Sequence, residues 1–103
     1  MIEIRVFTKS DGMITGFSVT GHSGTAERGQ DIVCAGVSSL TQTALLGLME
    51  YLHREVTYDV ASGKLLVELK ENPDDLTEAI LQSMLLGLME IQKLSPEAVR
   101  ILK

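Results

Sequence analysis

In this chain of 103 residues there is one cysteine, Cys34, and one of the two histidines, His22, stands twelve residues ahead of it. A thiol and an imidazole are the working groups of a cysteine nucleophile. The imidazole takes the thiol proton, and the imidazolium then holds the thiolate by charge. Around them the chain reads Gly21-His22-Ser23-Gly24-Thr25-Ala26-Glu27-Arg28-Gly29-Gln30-Asp31-Ile32-Val33-Cys34-Ala35-Gly36. Helical spacing begins at about Cys34, which predicts a sulfur at a helix start, where unpaired N–H groups and the positive dipole end favour the thiolate. The N–H groups of Cys34 and Ala35 are expected to receive a developing oxyanion there. Asp31 can orient the imidazole as the third member of a triad, or it can cap the helix. Gly21, Gly24 and Gly29 make the loop flexible, so ordering it over a substrate costs entropy that binding must offset. The expectation is a site assembled around its substrate by induced fit.

Blander readings compete with this one. A lone cysteine is usually a small buried hydrophobe, and a histidine beside glycine can simply close a turn. Cys34, His22, Asp31 and Glu27 could make a metal site, but no CxxC or HxxxH pair accompanies them, and neither a metal nor an organic cofactor is expected. The three loop glycines lack the Gly-Lys-Ser/Thr ending of a phosphate-binding loop. His53 beside Arg54 reads as a solvated position, and Glu71 to Asp75 as a helix start. Tyr51 and Tyr58 are too few for base-stacking platforms.

The elements that must position this loop follow from periodicity. Ile2, Ile4 and Val6 alternate with Glu3, Arg5 and Phe7, the period of a strand, and Asp11-Gly12 supplies a tight turn. Met13 to Thr20 returns, with a possible bulge at Gly16. From about Cys34 to Glu55, Val37, Leu40, Ala44, Leu45, Leu48 and Leu52 recur at threes and fours, as in an amphipathic helix. The second half repeats the plan: strands Val56 to Ala61 and Lys64 to Lys70 flank Ser62-Gly63, and a helix capped by Asn72 carries Leu76, Ile80, Met84, Leu88 and Ile91 as its buried stripe. The hexapeptide Leu-Leu-Gly-Leu-Met-Glu occurs at Leu45 to Glu50 and at Leu85 to Glu90, 40 residues apart, whereas the turn glycines Gly12 and Gly63 are 51 apart. The front half therefore holds eleven extra residues between hairpin and helix, in Gly21 to Val33. After Lys93 the tail fits a helical turn or an edge strand equally.

The predicted fold is a single α+β domain over residues 1–103. Two ββα-like units give one largely antiparallel sheet with two long helices on one face. Leu46, Met49, Leu81, Leu85, Leu86 and Met89 fall off the main stripes, a surplus that predicts a homodimer through the helices. The alternative, packing of one helix on the other within the chain, would absorb about half of it.

Nine basic residues against fourteen acidic give a net charge of −5. Residues 1–55 carry four basic and six acidic side chains and residues 56–103 five and eight, so no basic half is hidden in the average. Direct binding of nucleic acid, which needs phosphate neutralisation, is disfavoured. A single cysteine forbids an internal disulfide, and Glu3, Arg5 and Lys9 interrupt any apolar leader. No membrane span is expected, and a reduced, cytoplasmic location is the default.

Two blocks go further. Gly21-His22-Ser23-Gly24, followed by Gly29-Gln30-Asp31-Ile32-Val33-Cys34-Ala35-Gly36-Val37-Ser38, resembles the signature of the ribosomal-processing cysteine protease family, Prp. That signature is Gly-His-Ala-Gly, a short variable stretch, then Gly-x-Asp-Ile/Leu-Val-Cys-Ala. Ser23 stands where alanine is common, a small departure. The resemblance covers the whole chain and implies a cysteine endopeptidase with Cys34 as nucleophile and His22 as general base and acid. It implies Asp31 and Ser38 as supporting residues, a mobile loop over the site and a homodimer. The implied substrate is the N-terminal extension of a large-subunit ribosomal protein, with apolar and aromatic residues before the cut. The rival from another class is a ribosome-associated module that grips a peptide without cutting it.

Overall fold

A computed structural model of the chain describes residues 1–21 and 28–103, with side chains described for 1–21 and 32–103. The first hairpin forms as its alternation dictates. Strand β1 (Ile2–Thr8) pairs antiparallel with β2 (Ile14–Thr20), and between them Gly12 takes a positive φ of 91° while the Asp11 carboxylate accepts from the Met13 N–H at 3.0 Å. The register slips between Phe7 and Thr8, opposite Gly16 and Ile14, so Thr15 is the extra residue and the bulge falls one position before Gly16. Gly16 serves another purpose: a Cβ there would collide with the Val67 carbonyl of the neighbouring strand.

Strands β3 (Val56–Ala61) and β4 (Lys64–Leu69) form the second hairpin across Ser62 and Gly63, with Gly63 at φ +71°. The two hairpins join through β2 and β4, antiparallel, and the tail resolves as a strand, β5 (Val99–Leu102), parallel to β1. The sheet order is β3-β4-β2-β1-β5. Registered positions put Ile2, Ile4, Val6, Phe17, Val19, Leu65, Val67, Val99 and Ile101 on one face, and both helices cover that face.

Helix α1 (Arg28–Leu46) runs into a single π-helical turn, Gly47–Tyr51. It starts six residues before the expected Cys34, because the polar run around Gly29 that looks like loop is wound into roughly one and two-thirds further turns. The helical run as a whole ends with the π-helical turn at Tyr51, not at Glu55: His53 adopts φ +55° and the Arg54 N–H donates back to the Leu48 carbonyl at 2.9 Å. Helix α2 (Asp75–Leu94) is capped by Asp74, not Asn72. Asp74 Oδ1 accepts from the N–H groups of Leu76 and Thr77, both at 3.0 Å, and the Thr77 hydroxyl accepts from the Asp74 N–H at 2.9 Å. That reciprocal box outcompetes a cap two residues earlier.

The α2 stripe is also rotated. Thr77, Leu81, Met84, Leu85 and Leu88 are buried, and Leu76 is exposed, so Leu81 and Leu85 belong to the core and not to the surplus. Residues Ile32–Tyr51 are, by length and composition, apolar enough to cross a bilayer, contrary to the expectation that no such stretch exists. Here Val33, Val37, Ala44, Leu45 and Leu48 pack into the sheet's core, the arrangement of a core helix. The helices meet closely: a Cβ at Gly87 would approach Leu40 Cδ1 to 2.9 Å, and one at Gly47 would approach Ile80 Cδ1 to 3.1 Å.

Asp74 also binds Arg54 at 2.7 Å, tying the end of the first helical segment to the start of the second. The Thr77 N–H, helped by the Arg54 guanidinium and the Leu76 N–H, holds the Asp74 carboxyl below its ordinary range. A depressed pKa in the folded state stabilises the fold above the unfolded pKa, and the gain disappears as pH falls through the folded one. Wild type should therefore unfold at a higher temperature than Asp74→Asn at pH 7, with the gap closing as the buffer is taken from pH 5 towards pH 2. A gap that stays constant over that range contradicts this account.

Candidate active site

Cys34 is half-buried in the second turn of α1, and its side chain opens into a cavity of about 160 Å³. One wall is α1 itself, where Cys34, Val37, Ser38, Thr41 and Gln42 fall at the threes and fours of a single helical face. The floor is Ile2, Val19 and Leu65, and the opposite wall is the β3–β4 turn region: Val60, Ala61, Gly63 and Lys64. The Gly21 N–H donates to the Gly63 carbonyl at 2.9 Å, so the end of β2 is pinned to that turn beside the cavity.

The sequence expectations fare unevenly here. Cys34 and Ser38 do share the cavity. Gly21 is a fixed residue: at φ +86° it is hydrogen-bonded, and a Cβ on it would strike the Met1 carbonyl. Gly29 lies within α1. Since α1 starts at Arg28, Asp31 sits inside its first turn and the capping alternative for it falls away; its side chain lies outside the described residues, as do His22 and Gly24. The same early start places the N–H groups of Cys34 and Ala35 beyond the helix's first four unpaired donors, so the expected oxyanion donors are committed to the helical ladder.

Thr41, Gln42, Val60, Ala61 and Lys64 were not singled out by sequence. Thr41 is fully buried, and its hydroxyl donates to the Val37 carbonyl at 2.8 Å, which satisfies it within the helix. Thr41 and Gln42 were legible in principle, being two turns along the face that begins at Cys34. The hairpin residues were not, because only the tertiary fold brings them opposite the sulfur. Among the described residues no three His, Cys, Asp or Glu side chains cluster as metal ligands.

A half-buried free thiol on a helix, facing a cleft walled by a hairpin, offers a candidate nucleophile beside space for a substrate. The family profile described as Cysteine protease Prp matches residues 1–100. A Ribosomal processing cysteine protease Prp from Staphylococcus aureus is 30% identical over 104 residues, spanning 98% of this chain and 97% of that one. The crystal structure of an essential ribosomal processing protease Prp from S. aureus with a substrate peptide matches with a TM-score of 0.89, at 24% identity over 98% of this chain and 97% of that one. The S. aureus protease with a covalently linked product peptide matches at 0.89, with 25% identity over 99% and 98%. The chain belongs to the cysteine protease Prp family. It is a cysteine peptidase, which displaces the reading as a non-cutting peptide-binding module.

A thiol in this position must be reachable without unfolding. Iodoacetamide should modify native Cys34, and a peptide occupying the cavity should slow it, as intact-mass spectrometry would record. Modification only after denaturant is added would place the sulfur in the core and remove the site.

Proposed function

We propose that this protein removes the N-terminal extension of a large-subunit ribosomal protein, with Cys34 as nucleophile and His22 as general base and acid. The observation that carries the reading is the placement of Cys34, half-buried yet open to a cleft with apolar floor and mixed walls. The S. aureus relative's covalently linked product peptide supports covalent chemistry at a cysteine.

In this mechanism His22 takes the Cys34 proton as Sγ attacks the scissile carbonyl carbon, forming a tetrahedral oxyanion. Collapse breaks the C–N bond, and the imidazolium gives its proton to the departing amine. The acyl-thioester is then attacked by water, whose proton passes to His22; the second collapse returns that proton to sulfur and frees the new carboxylate end. Cys34 lies past the unpaired N–H groups of α1, so activation of the thiol falls to the imidazole. Asp31 is assigned to orient His22, and Ser38, one turn below the sulfur in the same cavity, to support the substrate or the sulfur through its hydroxyl. The reaction belongs to the reducing cytoplasm, where a catalytic thiol persists.

We also infer a homodimer through the helical layer. Leu46, Leu76 and Leu86 remain exposed, and an apolar groove of about 430 Å³ runs between the helices, lined by Leu40, Ala44, Ala79, Ile80 and Met84. Burying such a surface is favourable at about 25 cal/mol per Å² of apolar area.

Cys34→Ala should reduce cleavage of the extended ribosomal protein by at least about a thousandfold, and His22→Ala comparably, while both remain folded. Mass spectrometry of the substrate's N-terminus reads this directly. Undiminished processing by Cys34→Ala would overturn the assignment. Sedimentation at micromolar concentration should give twice the 11.2 kDa chain mass, and Leu86→Glu should halve it. A single species of the chain mass for wild type would rule out the dimer.

A further inference from the structure

The two edges of the sheet are not alike. β5 is four residues long and carries the exposed Arg100, both of which discourage further pairing. β3 is six residues in unbroken register with β4, without proline, lysine or bulge. In the repeated plan β3 is the counterpart of β1, and β1 has its outer side filled by β5. Beside β3 no strand lies among the described residues.

The Lys70 N–H donates to the Glu55 carbonyl at 3.0 Å, which sets the alternation of the ladder. Glu55, Thr57, Asp59 and Ala61 are then the residues bonded to β4, and the N–H and C=O groups of Val56, Tyr58 and Val60 point outward. The same three residues register with Leu69, Val67 and Leu65, so their side chains lie on the helix-covered side of the sheet. α1 does not reach over them: Tyr58 is 52% and Val60 60% exposed. One strand thus offers outward backbone groups and an apolar ledge together. Its far end, Val60 and Ala61, walls the cavity into which Cys34 opens.

We propose that β3 is a docking strand for the substrate: an extended flank of the peptide adds to its outer edge as a sixth strand, lays alternate apolar side chains on Tyr58 and Val60, and passes at Ala61 into the Cys34 cavity. The proposal rests on the reading that Cys34 cuts peptides, and it adds how a peptide is held and measured. Main-chain hydrogen bonds supply affinity in strand addition, and the alternate side chains supply selectivity. The flank engaged is about six residues, at about 3.3 Å each the length of β3. A substrate is favoured over a second copy of the chain because the strand is continuous with the cleft that holds the sulfur.

The test uses the intact enzyme and synthetic peptides copied from the cleavage junction of the ribosomal-protein extension. One peptide reaches about three residues to each side of the junction, and others are lengthened by about six residues on either flank in turn. Lengthening one flank should lower KM about tenfold or more, and N-methylation of backbone amides along it should abolish the gain at alternate positions only. Val60→Pro removes an outward N–H without costing a bond to β4, and should raise KM for the long peptide to that of the short one. Equal KM for short and long peptides, or equal effects of methylation at every position, overturns the docking strand while leaving Cys34 its activity. Self-association that Val60→Pro disperses would assign the edge to a second copy and likewise overturn it. Failure of the wild-type enzyme to cut any of the peptides would strike first at the assigned substrate, and the docking strand would fall with it.

Discussion

The close contact between the two helices is the constraint on which the rest of the structure depends. Leu40 of α1 sits against Gly87 of α2, and Ile80 of α2 sits against Gly47 at the end of α1. The pairs are reciprocal, since Leu40 and Ile80, like Gly47 and Gly87, are 40 residues apart. Glycine at each seat removes the Cβ that would hold the axes further apart. The repeated hexapeptide Leu-Leu-Gly-Leu-Met-Glu thereby acquires a mechanical meaning: it supplies a leucine for the sheet and a seat for the other helix.

Drawing the helices together leaves them too narrow a layer to cover five strands. α2 packs towards β5 and β2, and α1 lies beside it. The strand that remains uncovered is β3, and the gap between α1 and the β3–β4 turn is the cleft that contains Cys34. The site is thus what a compact helix pair leaves over on a sheet slightly too wide for it. Gly21 completes it, since its left-handed backbone and its bond to Gly63 fix the point at which the chain leaves β2 beside the sulfur.

Much of this was legible from residue order. Both hairpins follow from apolar alternation and from Asp11-Gly12 and Ser62-Gly63, because strand period and turn chemistry are local properties. The paired blocks around His22 and Cys34 pointed to the cysteine protease Prp family, to which the chain belongs. The boundaries were less legible. Around Gly29 the sequence looks like loop, yet α1 includes it, and the early start moved Cys34 from the first turn to the second and withdrew its N–H from oxyanion duty. Asn72 is as good a cap as Asp74 by type, and the choice was made by the local capping box with Thr77 and by Arg54, which reaches Asp74 only with the chain folded. The α2 stripe was misplaced by one position because a helix rich in leucine all round does not show which side meets the sheet.

Residue order alone singled out a candidate nucleophile and a candidate base and determined the two hairpins and the two helices, since each depends on the types and spacing of near neighbours. Tertiary structure decided which strand would be left uncovered, which way α2 would turn, that the tail would pair with β1, and that Val60 and Ala61 would face a sulfur more than twenty residues away. The physical reason is that burial and close approach are properties of pairs of surfaces. Whether an apolar side chain is core or exposed ledge depends on what arrives opposite it, and no local pattern carries that information.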